Sequence, residues 1–180
     1  AAYMFMEFTG AFLAAFLAFA ATGVTFCFDH ELKEEGGIGT SIGLEVLFTF
    51  VLCGAVLSTG TSHDAPNQYF GFAIGGTVLA GAYACGGFHQ GSFNPAVTFG
   101  INMANYMNGS AARKPSAEAW AVFLLAPLLG GALAALVFRA TRPLEYLIEA
   151  PARNSYVEER FTAMQDLEAA SRWSLVKDTE

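Results

Sequence analysis

Residues 89–106 read HQGSFNPAVTFGINMANY, a polar, glycine-bearing stretch set between two apolar runs. The side chains there that could do chemistry are His89, Ser92 and Asn94. His89 and Ser92 stand three apart, as a base and a nucleophile could. Neither an acid placed to orient the histidine nor a nucleophile turn accompanies them, so hydrolysis lacks its parts. Cys27, Cys53 and Cys85 lie inside apolar runs, at spacings that fit no metal box, and read as buried structural thiols. His30 and His63 fall in connections and read as solvated; nothing in their spacing requires a bound haem or pigment. The chain therefore reads as a non-enzyme with no cofactor, and the remaining chemistry is hydrogen bonding at Asn94.

Asn94 is a good helix N-cap, and Pro95 suits the first helical turn. AVTFGINMANY then supplies about three turns, and Gly109 can end them. Such a helix of about 12–13 residues is roughly 18–20 Å long. That is little more than half the hydrocarbon thickness of a bilayer. It can reach from one surface to the midplane, with the glycines and polar residues before it as the other limb of a re-entrant loop. Irregular backbone at that depth survives only when buried in protein or lining a watery cavity. The N-terminus of the half-helix brings partial positive charge to the midplane, which repels cations, and Asn94 can offer its amide to a passing water or hydroxyl.

Such a loop needs spans to hold it. The chain has 180 residues, 54% hydrophobic and 14% charged, with 17 phenylalanines. Asp64 is the only acidic or basic residue from Val46 to Met107, and Glu118 the only one from Ala117 to Phe138. The apolar runs predict four membrane spans: Tyr3–Phe28, Ser41–Gly60, Tyr69–Gly86 and Glu118–Ala140. The fold expected is an all-α membrane bundle of four transmembrane helices plus one re-entrant half-helix, occupying 1–142. A soluble tail, 143–180, follows; Tyr156, Phe161, Met164, Leu167 and Trp173 give it a loose amphipathic stripe. This tail helix either lies on the membrane or on the bundle, or docks another protein.

Net charge is −7, carried in loops and tail, and the absence of a basic face excludes nucleic acid as a partner. The N-terminus has no basic leader region and starts abruptly with a span. Arg139, Arg142, Arg153 and Arg160 after the last span place the C-terminus on the cytoplasmic or equivalent side. Four spans then put the N-terminus there too. The acidic first connection, with Asp29, Glu31, Glu34 and Glu35 against Lys33, agrees; Arg113 and Lys114, on the far side, do not. Gly39 with Gly43, and Gly71 with Gly75, form small-residue pairs expected to serve helix packing within the chain, as does the slim patch Gly130, Gly131 and Ala132. Trp120 fits an interfacial anchor. Glu45 lies within a span, where a carboxyl group is costly and faces the bundle interior; bracing and proton relay are both open to it.

Several of these segments resemble the aquaporin and glycerol-channel family, the major intrinsic proteins. GSFNPAVTFG (Gly91–Gly100) looks like the family's NPA box, and GLEVLFTFVLCGAVLSTGT (Gly43–Thr61), with Glu45, looks like its fourth span. FAIGGTVLAGAYACGG (Phe72–Gly87) resembles the fifth span and APLLGGALAALVF (Ala126–Phe138) the sixth. YMFMEFTGAFLAAFLAFA (Tyr3–Ala20) is similar to the third, with Glu7 where Gln is usual. The likeness runs from Tyr3 to Phe138. Family members have six spans and two NPA half-helices, whereas four spans and one box are legible here, best matched to the second half of the fold. The wording NPAVT is that of the first box, which keeps a first-half alignment open.

The resemblance implies roles for individual residues. Asn94, Pro95 and Ala96 would line the midplane. Ala82, Gly91 and Val97 fall at the family's narrow filter, with Val97 where an arginine is usual, so a pore would be wide, apolar and without its cationic guard. Glu45 would accept hydrogen bonds from the re-entrant backbone. Glu7 either does the same in the first span or reaches the interface, and His89 would hydrogen-bond loop carbonyls. Two functions follow. One is a channel for water or small neutral solutes, completed by another copy or another chain. The other is a pore-less accessory subunit of a larger membrane assembly.

Overall fold

A chain this apolar can satisfy its backbone in lipid by winding each run into a helix. The computed structural model describes residues 2–29, 37–62, 68–86, 90–146, 158–159 and 161–166, and no strand occurs among them. Its helices are α1 (Ala2–Thr22), α2 (Ile38–Ala55), α3 (Phe70–Cys85), α4 (Pro95–Met107) and α5 (Ala117–Thr141). A π-helical turn, Val56–Thr61, prolongs α2, and a short 3-10 turn, Pro143–Tyr146, follows α5. There the Ser62 hydroxyl meets the Glu145 carboxyl and accepts from Arg142 at 3.1 Å, which ties the ends of α2 and α5.

Three stretches are long and apolar enough to cross a membrane: Ala2–Thr22, Ile38–Thr61 and Ala117–Thr141. The expected third span is shorter. α3 has 16 residues, about 24 Å of helix, because Tyr69 and Gly86 cap it instead of continuing it. The first span also ends early. Gly23 adopts a positive φ of 69° and donates to the Phe19 carbonyl at 2.8 Å, a helix stop that needs no side chain. Residues 24–29 then run extended, although Phe26, Cys27 and Phe28 are as apolar as any helical run. Cys27 and Phe28 are buried there, so the apolar letters mark a packed strap and not a further turn of helix.

The helices pair as α1 with α4 and α2 with α5, while α4 also meets α5 and α2 meets α3. Glycine sets the two main crossings. A Cβ on Gly100 would lie 2.4 Å from the Ala11 carbonyl oxygen, and one on Gly130 2.5 Å from that of Val46. The expected pairs, Gly39 with Gly43 and Gly71 with Gly75, meet no neighbour among the described residues: a Cβ at each would find nothing within 4 Å. Between the bundle halves lie Phe28, Ala119, Val122 and Phe123, a buried cluster on which Val97 and Ile101 pack. Phe123 is fully buried, with its ring 5.5 Å from that of Phe28. Phe99 gathers Phe8, Phe12 and Trp120 at 5.3–6.4 Å, so the expected interfacial tryptophan also packs on α4. No residue of α1 is buried, and its outer face shows Tyr3, Phe5, Leu13 and Leu17, a surface suited to lipid. In the tail, 158–159 and 161–166 are helical with Phe161 and Met164 exposed; Tyr156, Leu167 and Trp173 lie outside the described residues.

Candidate functional site

The half-helix begins where Asn94 leaves helical geometry. At φ −152° and ψ 117° its backbone is extended, and its Oδ1 accepts from the Ala96 N–H at 2.9 Å. Pro95 has no N–H to satisfy. The cap therefore uses the oxygen side of the amide and leaves the Nδ2 side as its donor. Thirteen residues follow, ending at Met107, with Asn108 extended behind them. Gly109 stands one residue beyond that stop.

The turn that feeds Asn94 is strained and held. Phe93 has a φ of 54°, in the left-handed region that costs a bulky residue roughly 1–2 kcal/mol. Glu45 fixes it. Buried on α2, its two carboxyl oxygens accept from the Ser92 N–H at 2.6 Å and the Phe93 N–H at 2.8 Å. Two hydrogen bonds of this kind are worth about 0.5–1.5 kcal/mol each. The Phe93 ring is itself wedged. It lies 5.5 Å from Phe48, and Cβ atoms on Gly81 or Gly91 would come within 2.9 and 2.6 Å of it. Gly91, at φ 61°, thus serves both the turn and the ring's space.

A proline makes the next contact possible. Pro127 in α5 cannot bond back to the Phe123 carbonyl, one turn earlier. That carbonyl instead accepts from the Thr98 hydroxyl of α4 at 3.1 Å. Thr98 and Ser92 hydroxyls also meet at 2.7 Å, and Ser92 donates to the Asn94 carbonyl at 2.9 Å. Polar contacts thus run from buried Glu45 through half-buried Ser92 to buried Thr98.

The other end of α4 is bound by a ladder of asparagines three residues apart. Asn102 pairs with the backbone of Phe28, accepting at 2.7 Å and donating at 3.4 Å. Asn105 and Asn108 both donate to the Thr25 hydroxyl, at 3.2 and 2.9 Å. Asp29, from the acidic first connection, is buried and accepts from the Ser116 N–H at 3.2 Å, at the start of α5. Burial and the Asp29 carboxylate raise the Cys27 thiol above its usual range, so this residue stays protonated.

The expected site residues thus sort out as follows. Asn94, Pro95 and Ala96 start α4, and Glu45 touches the two residues before them. Val97, on the first turn, is half-buried and packs on the Phe28–Phe123 cluster. Ala82 is exposed on α3, one residue from the glycine that receives the Phe93 ring. Glu7 is exposed on α1. His89 lies outside the described residues. Sequence reasoning missed Phe93, Thr98, the asparagine ladder and Lys114. The three-residue asparagine spacing was a visible signal; the conformation of Phe93 had none, since large side chains seldom take a positive φ.

Against known families, residues 1–138 match the model of the major intrinsic protein. A probable aquaporin of TIP type from Medicago truncatula is 29% identical over 148 residues, which covers 76% of this chain and 51% of that protein. Probable aquaporin TIP2-2 from Oryza sativa subsp. japonica is 33% identical over 143 residues, covering 76% and 52%. Probable aquaporin TIP5-1 from Arabidopsis thaliana is 37% identical over 110 residues, covering 58% and 38%. The chain spans about half the length of such curated relatives as the Medicago truncatula and TIP2-2 proteins.

Proposed function

The chain belongs to the major intrinsic protein family, and from that premise we propose that it forms one half of a membrane channel for water or small neutral solutes. It is an integral, multi-pass membrane protein with an aquaporin-like, all-α fold. The observation that carries the reading is the grip of Glu45 on Ser92 and Phe93, which holds the Asn94–Pro95 tip against a bundle of apolar helices. A polar tip so firmly fixed among apolar spans has a use if water passes it. Asn94 donates through Nδ2 to the passing molecule, and the helix N-terminus repels cations. A second half-helix from outside these 180 residues, in a further copy or another polypeptide segment, completes the pore.

The filter positions Ala82, Gly91 and Val97 carry no charge and no side chain larger than valine. In this reading the constriction is wide and apolar, and the helix dipole, not a cationic side chain, discriminates against protons. Residues 1–142 make the membrane unit and 143–180 the tail, with both termini on the cytoplasmic or equivalent side. The bilayer is one partner, and the copy or subunit that completes the pore is the other.

Osmotic shrinkage of vesicles carrying the intact assembly tests the proposal. Shrinkage faster than in protein-free vesicles, slowed at least about tenfold by Asn94→Leu as the loss of a hydrogen-bonding site predicts, supports it. Rates equal to those of empty vesicles, with strict co-purification of other membrane subunits, favour the second reading, a pore-less accessory subunit. The wholly unburied α1, with its exposed aromatic face, is what speaks for that alternative.

A further inference from the structure

We propose that Lys114 is a positioning residue of the re-entrant half-helix: its ammonium closes the C-terminal end of α4 and clamps that helix in place. α4 has no basic residue in its own last turn, and backbone donors reach only some of its closing carbonyls: the Asn108 N–H bonds to those of Ala104 and Asn105, and the Ala111 N–H to that of Asn108. Lys114, from the following loop, supplies one. Its Nζ donates to the Asn105 carbonyl at 2.9 Å, to that of Tyr106 at 2.8 Å and to that of Asn108. An ammonium has three N–H donors, and all three find carbonyl oxygens. The same group stands 5.8 Å from the centre of the Tyr106 ring.

The backbone of Lys114 is fixed from behind. Pro115 is buried, and Ser116 both caps α5, accepting from the Ala119 N–H at 3.0 Å, and donates its own N–H to Asp29. Lys114 and Ser116, two residues apart, thus join the end of α4 to the start of α5 and to the strap that follows α1. The half-helix is held at both ends, by the Glu45 carboxyl group on the two residues before its cap and by the Lys114 ammonium on its last carbonyls. A cation at the carbonyl end matches the helix dipole. It also accounts for the basic residue that counted against the charge-based orientation: Lys114 has its partners in helix carbonyls.

The effect on permeation rests on the channel reading, but the clamp does not. The first test uses the wild-type chain in its membrane assembly. Acetylation of amines, followed by mass spectrometry, is expected to modify Lys114 at least about tenfold more slowly than in an unfolded peptide of residues 110–118, as charged hydrogen bonds of this strength imply. Equal rates overturn the proposal. Amide exchange in Lys114→Met is expected to rise about tenfold over residues 104–108, with Lys114→Arg restoring protection, because arginine keeps the charge and the donors. Unchanged exchange in Lys114→Met, or no recovery in Lys114→Arg, overturns it; if Lys114→Met yields no folded protein, the acetylation rate decides. Water flux separates the two claims. Wild-type vesicles without flux sink the channel reading and leave the lysine to be judged by exchange and acetylation.

Discussion

Phe93 shows how a single residue can join fold and site. Its left-handed backbone aims Asn94 into helical register, and its ring fills space left open by Gly81 and Gly91. Two replacements separate these roles. Phe93→Ala loses the ring and keeps the strain, at about 3–5 kcal/mol of stability. Phe93→Gly loses the same ring but relieves the backbone, so it is expected to be milder by about 1 kcal/mol. Thermal unfolding of the two variants in detergent decides; equal losses contradict the strain. Glu45 was legible in the sequence as an intramembrane carboxyl with work inside the bundle, because its desolvation cost demands partners. Its partners, N–H groups of the re-entrant backbone, were implied by the family resemblance and not by composition, since two backbone N–H groups leave no trace in side-chain letters.

Helices themselves were legible where charge stops and apolar residues run on, and α4 was legible from its cap and its proline. Less legible was how closely they approach. Gly-x-x-x-Gly spacing pointed to Gly39, Gly43, Gly71 and Gly75, whereas the tight crossings use the single glycines Gly100 and Gly130. Spacing marks a slim face but not which neighbour meets it. Gly100→Leu and Gly130→Leu are therefore expected to destabilise by about 1–3 kcal/mol or more through overpacking. Gly39→Leu and Gly43→Leu, at open positions, should leave the stability of the isolated chain within about 0.5 kcal/mol. Chemical denaturation of the four variants distinguishes the crossings; matching losses contradict it. Contact between α4 and α5 depends on Pro127, which frees the Phe123 carbonyl for Thr98. A double-mutant cycle of Thr98→Val with Pro127→Ala should show coupling of about 0.5–1.5 kcal/mol, because the alanine N–H competes for the same oxygen. Additive losses would show that the proline and the threonine act apart.

At the scale of the molecule, family and fold were readable from the NPA box and the apolar runs around it, because a half-helix too short to cross is a conspicuous pattern. The strap at 24–29 was not, since apolar letters do not distinguish an extended packed segment from helix. The channel reading requires one placement, the start of α4 at mid-bilayer and its end near the surface. Thirteen residues give about 20 Å between the two. Paramagnetic broadening of amide signals by spin-labelled lipids in the intact assembly measures those depths directly. A label near the chain end of the lipid should broaden the Ala96 amide most, and a label near the headgroup that of Asn108. Ala96 broadened instead by the headgroup label, or by a water-soluble relaxation agent confined outside the membrane, would place the tip at the surface and contradict the half-channel.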